Sequence, residues 1–135
     1  RMKYNPVKEV VAGKRGVVVD DSVVRGTTSL SLVKFIREAG ATEVHFRIAS
    51  PPVKFPCFYG IDMPRREELI GSHMSVDQIR DRLKVDSIGY LSLEGMEGAV
   101  AEQGPFCNAC FSGNYTAPLV DVEKGLALDN VDTDE

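Results

Sequence analysis

A run of three valines followed at once by two carboxylates constrains this chain more than any other feature. Residues 17–19 are β-branched at consecutive rather than alternate positions, which is typical of a strand buried on both faces of a parallel sheet. Asp20 and Asp21 come next, at the carboxyl end of that strand. Because ligands of open parallel sheets bind at this end of the strands, the sequence predicts a binding site here.

The next segment predicts a helix and a second strand. Gly26 and Thr27 open a stretch with apolar residues at helical spacing, Gly40 ends it, and residues 44–49 form another apolar run. The order strand, helix, strand predicts an α/β fold with a parallel sheet. The unpaired N–H groups at the start of such a helix attract phosphate, and Gly26 allows the backbone to approach it closely.

The chemistry of this loop favours a sugar phosphate. Ser22, Thr27 and Thr28 supply hydroxyl donors. Two adjacent carboxylates repel a phosphate but accept hydrogen bonds from ribose hydroxyls, directly or through Mg²⁺. The alternatives are a chance strand before a capped helix and a receiver domain. A receiver requires another aspartate after a later strand, where this chain has Ser50-Pro51-Pro52, and it is set aside.

Three cysteines form the second notable feature. Their odd number, without a secretory signal at the start of the sequence, argues against a disulfide framework. Cys107 and Cys110 form a Cys-x-x-Cys pair, which suits zinc, an iron–sulfur cluster, a redox pair or buried thiols. With Cys57 they are one short of four ligands, so either a fourth ligand lies outside this chain or no metal binds.

Composition excludes several classes of function. The 135 residues, 43% of them hydrophobic, suit one compact domain. A net charge of −4 gives no overall footprint for nucleic acid, and no apolar run reaches the ~18 residues of a membrane span. We expect a soluble, cytoplasmic protein that binds small molecules or protein partners. Residues 129–135 are mostly acidic and predict a disordered tail.

Several segments together resemble one family. Residues 17–28 are similar to the phosphoribosyl pyrophosphate (PRPP) signature of the phosphoribosyltransferases. With residues 56–63, 67–70 and 107–115, the chain resembles the amidophosphoribosyltransferases of the iron–sulfur type. The resemblance implies three parts. They are the second half of a type I phosphoribosyltransferase domain (1–72), a mixed carboxy-terminal extension with the Cys-x-x-Cys pair (73–128), and the tail (129–135).

The resemblance also implies roles for individual residues. Asp20 and Asp21 would hold the ribose diol of PRPP and its Mg²⁺, and no residue of this chain would be catalytic. The fourth ligand of a 4Fe–4S cluster held by the three cysteines would lie upstream of residue 1. The loop around the 5-phosphate would comprise Ser22, Val23, Val24, Arg25, Gly26, Thr27 and Thr28.

For the parent enzyme, the resemblance implies conversion of PRPP, glutamine and water to 5-phosphoribosylamine, glutamate and pyrophosphate, the first step of de novo purine biosynthesis. Glutamine would react in a glutaminase domain that these residues lack, purine nucleotides would inhibit, and the full-length enzyme would be a homo-oligomer. We expect this part alone to be inactive and to expose sheet edge and apolar surface.

Two other functions compete with this interpretation. A non-catalytic regulator that binds PRPP or a nucleotide would keep the phosphate loop, but we would not expect it to carry the three cysteines in this context. A phosphoribosyltransferase that acts on a free base would share residues 17–28, but not residues 56–63 or the Cys-x-x-Cys segment.

Overall fold

The computed structural model describes residues 8–116, so the predicted tail at 129–135 lies outside the described residues. Short 3-10 helices occur at Arg66–Glu68 and Ala101–Gln103. No helix within residues 8–116 combines the length and apolar character needed to cross a bilayer. The other elements, in chain order, are α1 (Lys8–Val11), β1 (Arg15–Asp20), α2 (Thr27–Glu38), β2 (Glu43–Ile48), α3 (Ile70–His73), α4 (Val76–Leu83), β3 (Ser87–Tyr90), α5 (Leu93–Ala99) and α6 (Ala109–Ser112).

The three strands form a parallel sheet in the order β1-β2-β3, which confirms the predicted α/β class. Val18 lies opposite Phe46, and Phe46 lies opposite Ile88. Asp20, the last residue of β1, lies opposite Ile48. The predicted site is therefore at the carboxyl edge of the sheet.

The hydrophobic core lies between the sheet and helices α2 and α4. Alternate residues of β2 are buried, as the two-residue period of a strand requires. Ser75 is the N-cap of helix α4, and its hydroxyl accepts a hydrogen bond from the Gln78 N–H at 3.2 Å. The buried core side chains include Val33, Val44, Phe46, Ile48, Ile79 and Leu83.

The prediction that β1 is buried on both faces is wrong for the described residues. Val17 and Val19 are 63% and 72% exposed, because α2 and α4 both pack on the opposite face of the sheet. Within residues 8–116, β1 also pairs with a strand on one side only. The expected exposed edge and apolar surface are therefore both present.

The predicted division at residue 72 is not tested and stays a prediction. Helix α4 and strand β3, which follow it in sequence, share the core and the sheet with the preceding residues. The sheet therefore continues past that position.

Candidate functional site

A pocket of about 300 Å³ opens at the carboxyl end of β1. It brings together nearly all of the residues predicted to bind PRPP. Val23 is the exception, because its side chain is 2% exposed and belongs to the core beneath the loop. The pocket is lined by Asp20, Asp21, Ser22, Val24, Arg25, Gly26, Thr27, Thr28 and Ser29.

The two carboxylates at the pocket are oriented by local hydrogen bonds. The Asp21 N–H donates to Asp20 Oδ1 at 3.0 Å, and the Ser22 hydroxyl donates to Asp21 Oδ1 at 3.1 Å. Within residues 8–116, neither carboxylate forms an ion pair. Both can therefore accept hydrogen bonds from a ligand or bind a cation.

The glycine of the loop is required by its geometry. Gly26 has φ 75°, in the left-handed region, where a side chain is strained. A Cβ atom here would lie 3.0 Å from Ile70 Cδ1 and 3.3 Å from Leu83 Cδ2. Gly26 is also the N-cap of α2 and makes no side-chain capping hydrogen bond. The N–H groups of the first turn of α2 are thus left for an anion.

Arg25 lines the pocket, but its side chain has a protein partner. Its Nε donates to Glu68 Oε2 at 2.9 Å. This hydrogen bond is the main reason that the pKa of Glu68 is below its usual value. The Ile70 N–H donates to the Val24 carbonyl at 3.0 Å, so the residues around α3 hold the loop in two places. The sequence pattern did not reveal this pair, because it joins residues 43 positions apart.

The loop that carries Cys57 lies against the helix that carries Cys110. The N–H groups of Lys54 and Phe55 both donate to the Cys110 carbonyl, at 2.9 and 3.0 Å. The Tyr115 hydroxyl donates to the Pro56 carbonyl at 2.7 Å. Tyr115 is a residue of this site that sequence reasoning missed, since a hydroxyl that bonds to a distant carbonyl leaves no sequence pattern.

The three cysteines are free thiols. Burial raises the pKa of Cys110, and the nearby charges of Cys57 and Cys107 raise it further. However, residues 8–116 contain no group of three or more His, Cys, Asp or Glu side chains arranged to hold a metal ion. The thiols as placed are neighbours rather than a closed metal site.

Comparison with known proteins places these features in context. No protein-family model matches the chain. It is 52% identical over 134 residues to the amidophosphoribosyltransferase of Synechocystis sp. and 57% identical over 129 residues to that of Synechococcus elongatus. These alignments cover 97% and 95% of this chain but only 27% and 26% of the relatives. The chain thus spans about a quarter of the length of the curated relatives it matches.

Two solved structures are similar to the chain. The first is the glutamine PRPP amidotransferase from B. subtilis complexed with ADP and GMP, with a TM-score of 0.80 and 49% identity. The match covers 88% of this chain and 27% of that one. The second, described as the allosteric regulatory enzyme of purine biosynthesis, has a TM-score of 0.76 and 50% identity, with coverage of 84% and 25%. At this level of identity the likeness extends beyond the fold to the sequence.

Proposed function

Because the chain belongs to the amidophosphoribosyltransferase family, as a part about a quarter as long as its relatives, we propose that it forms the PRPP site of such an enzyme. The complete enzyme would convert PRPP, glutamine and water to 5-phosphoribosylamine, glutamate and pyrophosphate, at the start of purine biosynthesis. Glutamine would react in a part of the enzyme that this sequence does not include.

The observation that carries this proposal is the pocket at the carboxyl end of β1. It combines the amino terminus of α2, which has no side-chain cap and suits the 5-phosphate, with two carboxylates that form no ion pair within residues 8–116 and suit the ribose hydroxyls. Asp20 and Asp21 would orient the ribose, and the loop would fix the phosphate. The contribution of these residues is to position PRPP rather than to react with it.

Magnesium fits this pocket. Mg²⁺ is commonly held in proteins by one or two carboxylates, substrate phosphates and water. Asp20 and Asp21 supply two neighbouring carboxylates, and neither forms an ion pair among the described residues. When bound, the ion would neutralise charge on the substrate.

An iron–sulfur cluster fits the cysteines in part. Burial raises the pKa of Cys110, the charges of Cys57 and Cys107 raise it further, and a bound metal centre would offset that cost of ionisation. Three thiols do not complete the usual set of four, so the fourth ligand would come from another part of the enzyme. We propose a 4Fe–4S cluster with a structural role.

Further properties of the complete enzyme are proposed with it. Purine nucleotides would act as inhibitors, in line with the ADP and GMP bound to the B. subtilis structure. A homo-oligomer in the cytoplasm is proposed from the family resemblance alone. A non-catalytic regulator remains the alternative function, since it would need the same phosphate loop.

The deciding experiment replaces Asp20 and Asp21 by Asn in the complete enzyme. We expect PRPP-dependent turnover to fall about a hundredfold or more, because the ribose and its Mg²⁺ lose their ligands. Glutamine hydrolysis measured without PRPP should stay near the wild-type rate. Asp77→Asn, which changes an exposed residue of α4 away from the pocket, is the control and should retain both activities.

Equal loss of both activities in the Asn variant would count against a PRPP site at these carboxylates. A wild-type protein that binds PRPP and Mg²⁺ but shows no turnover with glutamine or ammonia would favour the regulator instead.

A further inference from the structure

The ion pair between Arg25 and Glu68 joins the phosphate loop to the 3-10 helix at Arg66–Glu68. Arg25 precedes the N-cap glycine of α2 and lines the pocket. Its Nε lies 2.9 Å from Glu68 Oε2, and the two side chains are 52% and 48% exposed. The residue before the N-cap glycine of α2 is thus linked to a carboxylate 43 residues further along the chain.

Glu68 is itself held in place. Its other carboxylate oxygen, Oε1, accepts a hydrogen bond from the Arg65 N–H at 3.3 Å. Its own N–H donates to the Arg65 carbonyl at 2.9 Å. One carboxylate therefore spans two segments, with one oxygen on the 3-10 helix and one on the loop. Because both of its oxygens are hydrogen-bonded, the Glu68 carboxylate has a fixed orientation, and it thereby orients the Arg25 side chain.

A second bond lies close to the ion pair. The Ile70 N–H donates to the Val24 carbonyl at 3.0 Å, and the Ile70 side chain is 3% exposed beneath Gly26. Arg25 is thus held through its side chain next to a residue that is held through its backbone. Together these contacts fix the direction in which the chain enters α2.

We propose that Glu68 is a positioning residue for the phosphate loop, acting through Arg25. This inference rests on the proposed PRPP site. The N–H groups at the start of α2 bind a phosphate best when they already point at it, because ordering a mobile loop during binding lowers affinity. The Glu68 carboxylate supplies that order before the ligand arrives.

The competing role for Arg25 is direct contact with phosphate. Its guanidinium has five N–H donors, and the bond to Glu68 uses only Nε. The two roles differ in what happens when Glu68 is changed. If Glu68 acts through Arg25, both partners matter equally. If Arg25 is a phosphate ligand, Glu68 matters less or even competes with the phosphate.

The test uses Glu68→Gln, Arg25→Gln and the double variant in the complete enzyme. For each we would measure kcat and KM for PRPP, the affinity for ribose 5-phosphate and the thermal midpoint. We expect each single variant to raise KM and to weaken ribose 5-phosphate binding by about threefold, as suits an exposed ion pair. The double variant should be no worse than either single one, with kcat and the thermal midpoint unchanged.

A matched control is available on α4. Asp77 pairs with Arg80 at 2.8 Å on an exposed surface. Asp77→Asn removes an ion pair of the same kind outside the pocket and should leave KM unchanged. Glu68→Asp gives a second variant that keeps the charge but shortens the reach. We expect it to fall between wild type and Glu68→Gln, which a purely structural role would not produce without a change in thermal midpoint.

Three results would overturn the positioning role while leaving the PRPP site intact. They are an unchanged KM in Glu68→Gln, a lowered KM in that variant, and a much larger effect of Arg25→Gln with additive losses in the double variant. A wild-type enzyme that neither uses nor binds PRPP would instead overturn the proposed function, and the positioning role with it.

Discussion

The phosphate loop and the cysteine segment are built in opposite ways. The loop follows β1, lies above buried core residues such as Val23 and Ile70, and leads into a helix of 12 residues. The cysteine segment, which carries Cys107 and Cys110, ends in the four-residue helix α6, and Cys107 is exposed. The loop is thus shaped by the protein core, whereas the cysteines are held by a few hydrogen bonds.

This difference separates two kinds of binding site. The first kind is preformed, because packing and a left-handed glycine fix the backbone without any ligand. With the proposed cluster, the second kind would depend on its metal, since neighbouring thiolates repel one another until a cation joins them. The pKa of Cys110 is raised mainly by burial, and the charges of Cys57 and Cys107 raise it further. We therefore expect the phosphate loop to tolerate replacement of the cysteines better than the cysteine segment tolerates replacement of the loop.

The largest effect is expected from Gly26→Ala. The added Cβ would meet Ile70 Cδ1 at 3.0 Å while the backbone stays in the left-handed region at φ 75°. We expect a loss of about 1–3 kcal/mol in stability and at least a tenfold weaker affinity for PRPP. Thermal unfolding and PRPP titration of the complete enzyme would measure the two effects.

Gly98→Ala is the matched control for that substitution. Gly98 lies in α5, and its φ is not positive. A Cβ atom added there would have nothing within 4 Å among the described residues. Alanine should stabilise this helix by about 0.5–1 kcal/mol. If both variants behaved alike, the loop would not be preformed by its glycine, and the contrast between the two regions would fail.

An intermediate effect is expected from Cys110→Ser. Iron and acid-labile sulfide, measured after anaerobic purification of the complete enzyme, should fall to a small fraction of the wild-type content. PRPP affinity should change less than twofold, because the cysteines do not line the pocket. Since the pKa of Cys110 is raised, the metal competes with a proton there, and loading of metal-free enzyme should improve as pH rises.

Two results would contradict the expectation that the cysteines hold a metal and that the phosphate loop does not depend on it. Equal metal content in wild type and variant would reduce Cys110 to a buried thiol. Loss of PRPP binding together with the iron would mean that the loop depends on the cluster.

Much of the first region could be predicted from the sequence, because its signals are local. Three consecutive valines, two carboxylates and Gly26 all lie within residues 17–26. The burial of β1 on both faces could not be settled this way, since it depends on which elements cover Val17 and Val19. The pair formed by Arg25 and Glu68 was missed because contacts between distant residues leave no periodic pattern.

The cysteine segment was less predictable for a related reason. The Cys-x-x-Cys spacing reports that two thiols are near each other, but not where Cys57 lies. That depends on Lys54 and Phe55, whose N–H groups donate to the Cys110 carbonyl. Backbone hydrogen bonds of this kind are almost independent of side-chain identity, so no sequence signal marks them.

The smallest effect is expected from Tyr115→Phe, which tests how firmly the cysteine segment is held. Removing the 2.7 Å hydrogen bond to the Pro56 carbonyl should cost about 1 kcal/mol in thermal unfolding and make iron easier to lose. Tyr90→Phe is the control, because the buried Tyr90 hydroxyl has no partner among the described residues and its loss should cost less.

Burial raises the pKa of each tyrosine to about 12, so their neutral forms stabilise the fold below pH ~10, and that stability is lost as pH rises toward 12. Each Phe variant should therefore lose less stability in alkali than wild type. If Tyr90→Phe instead cost more unfolding free energy than Tyr115→Phe, the Tyr115 hydrogen bond would not be what holds the cysteine segment.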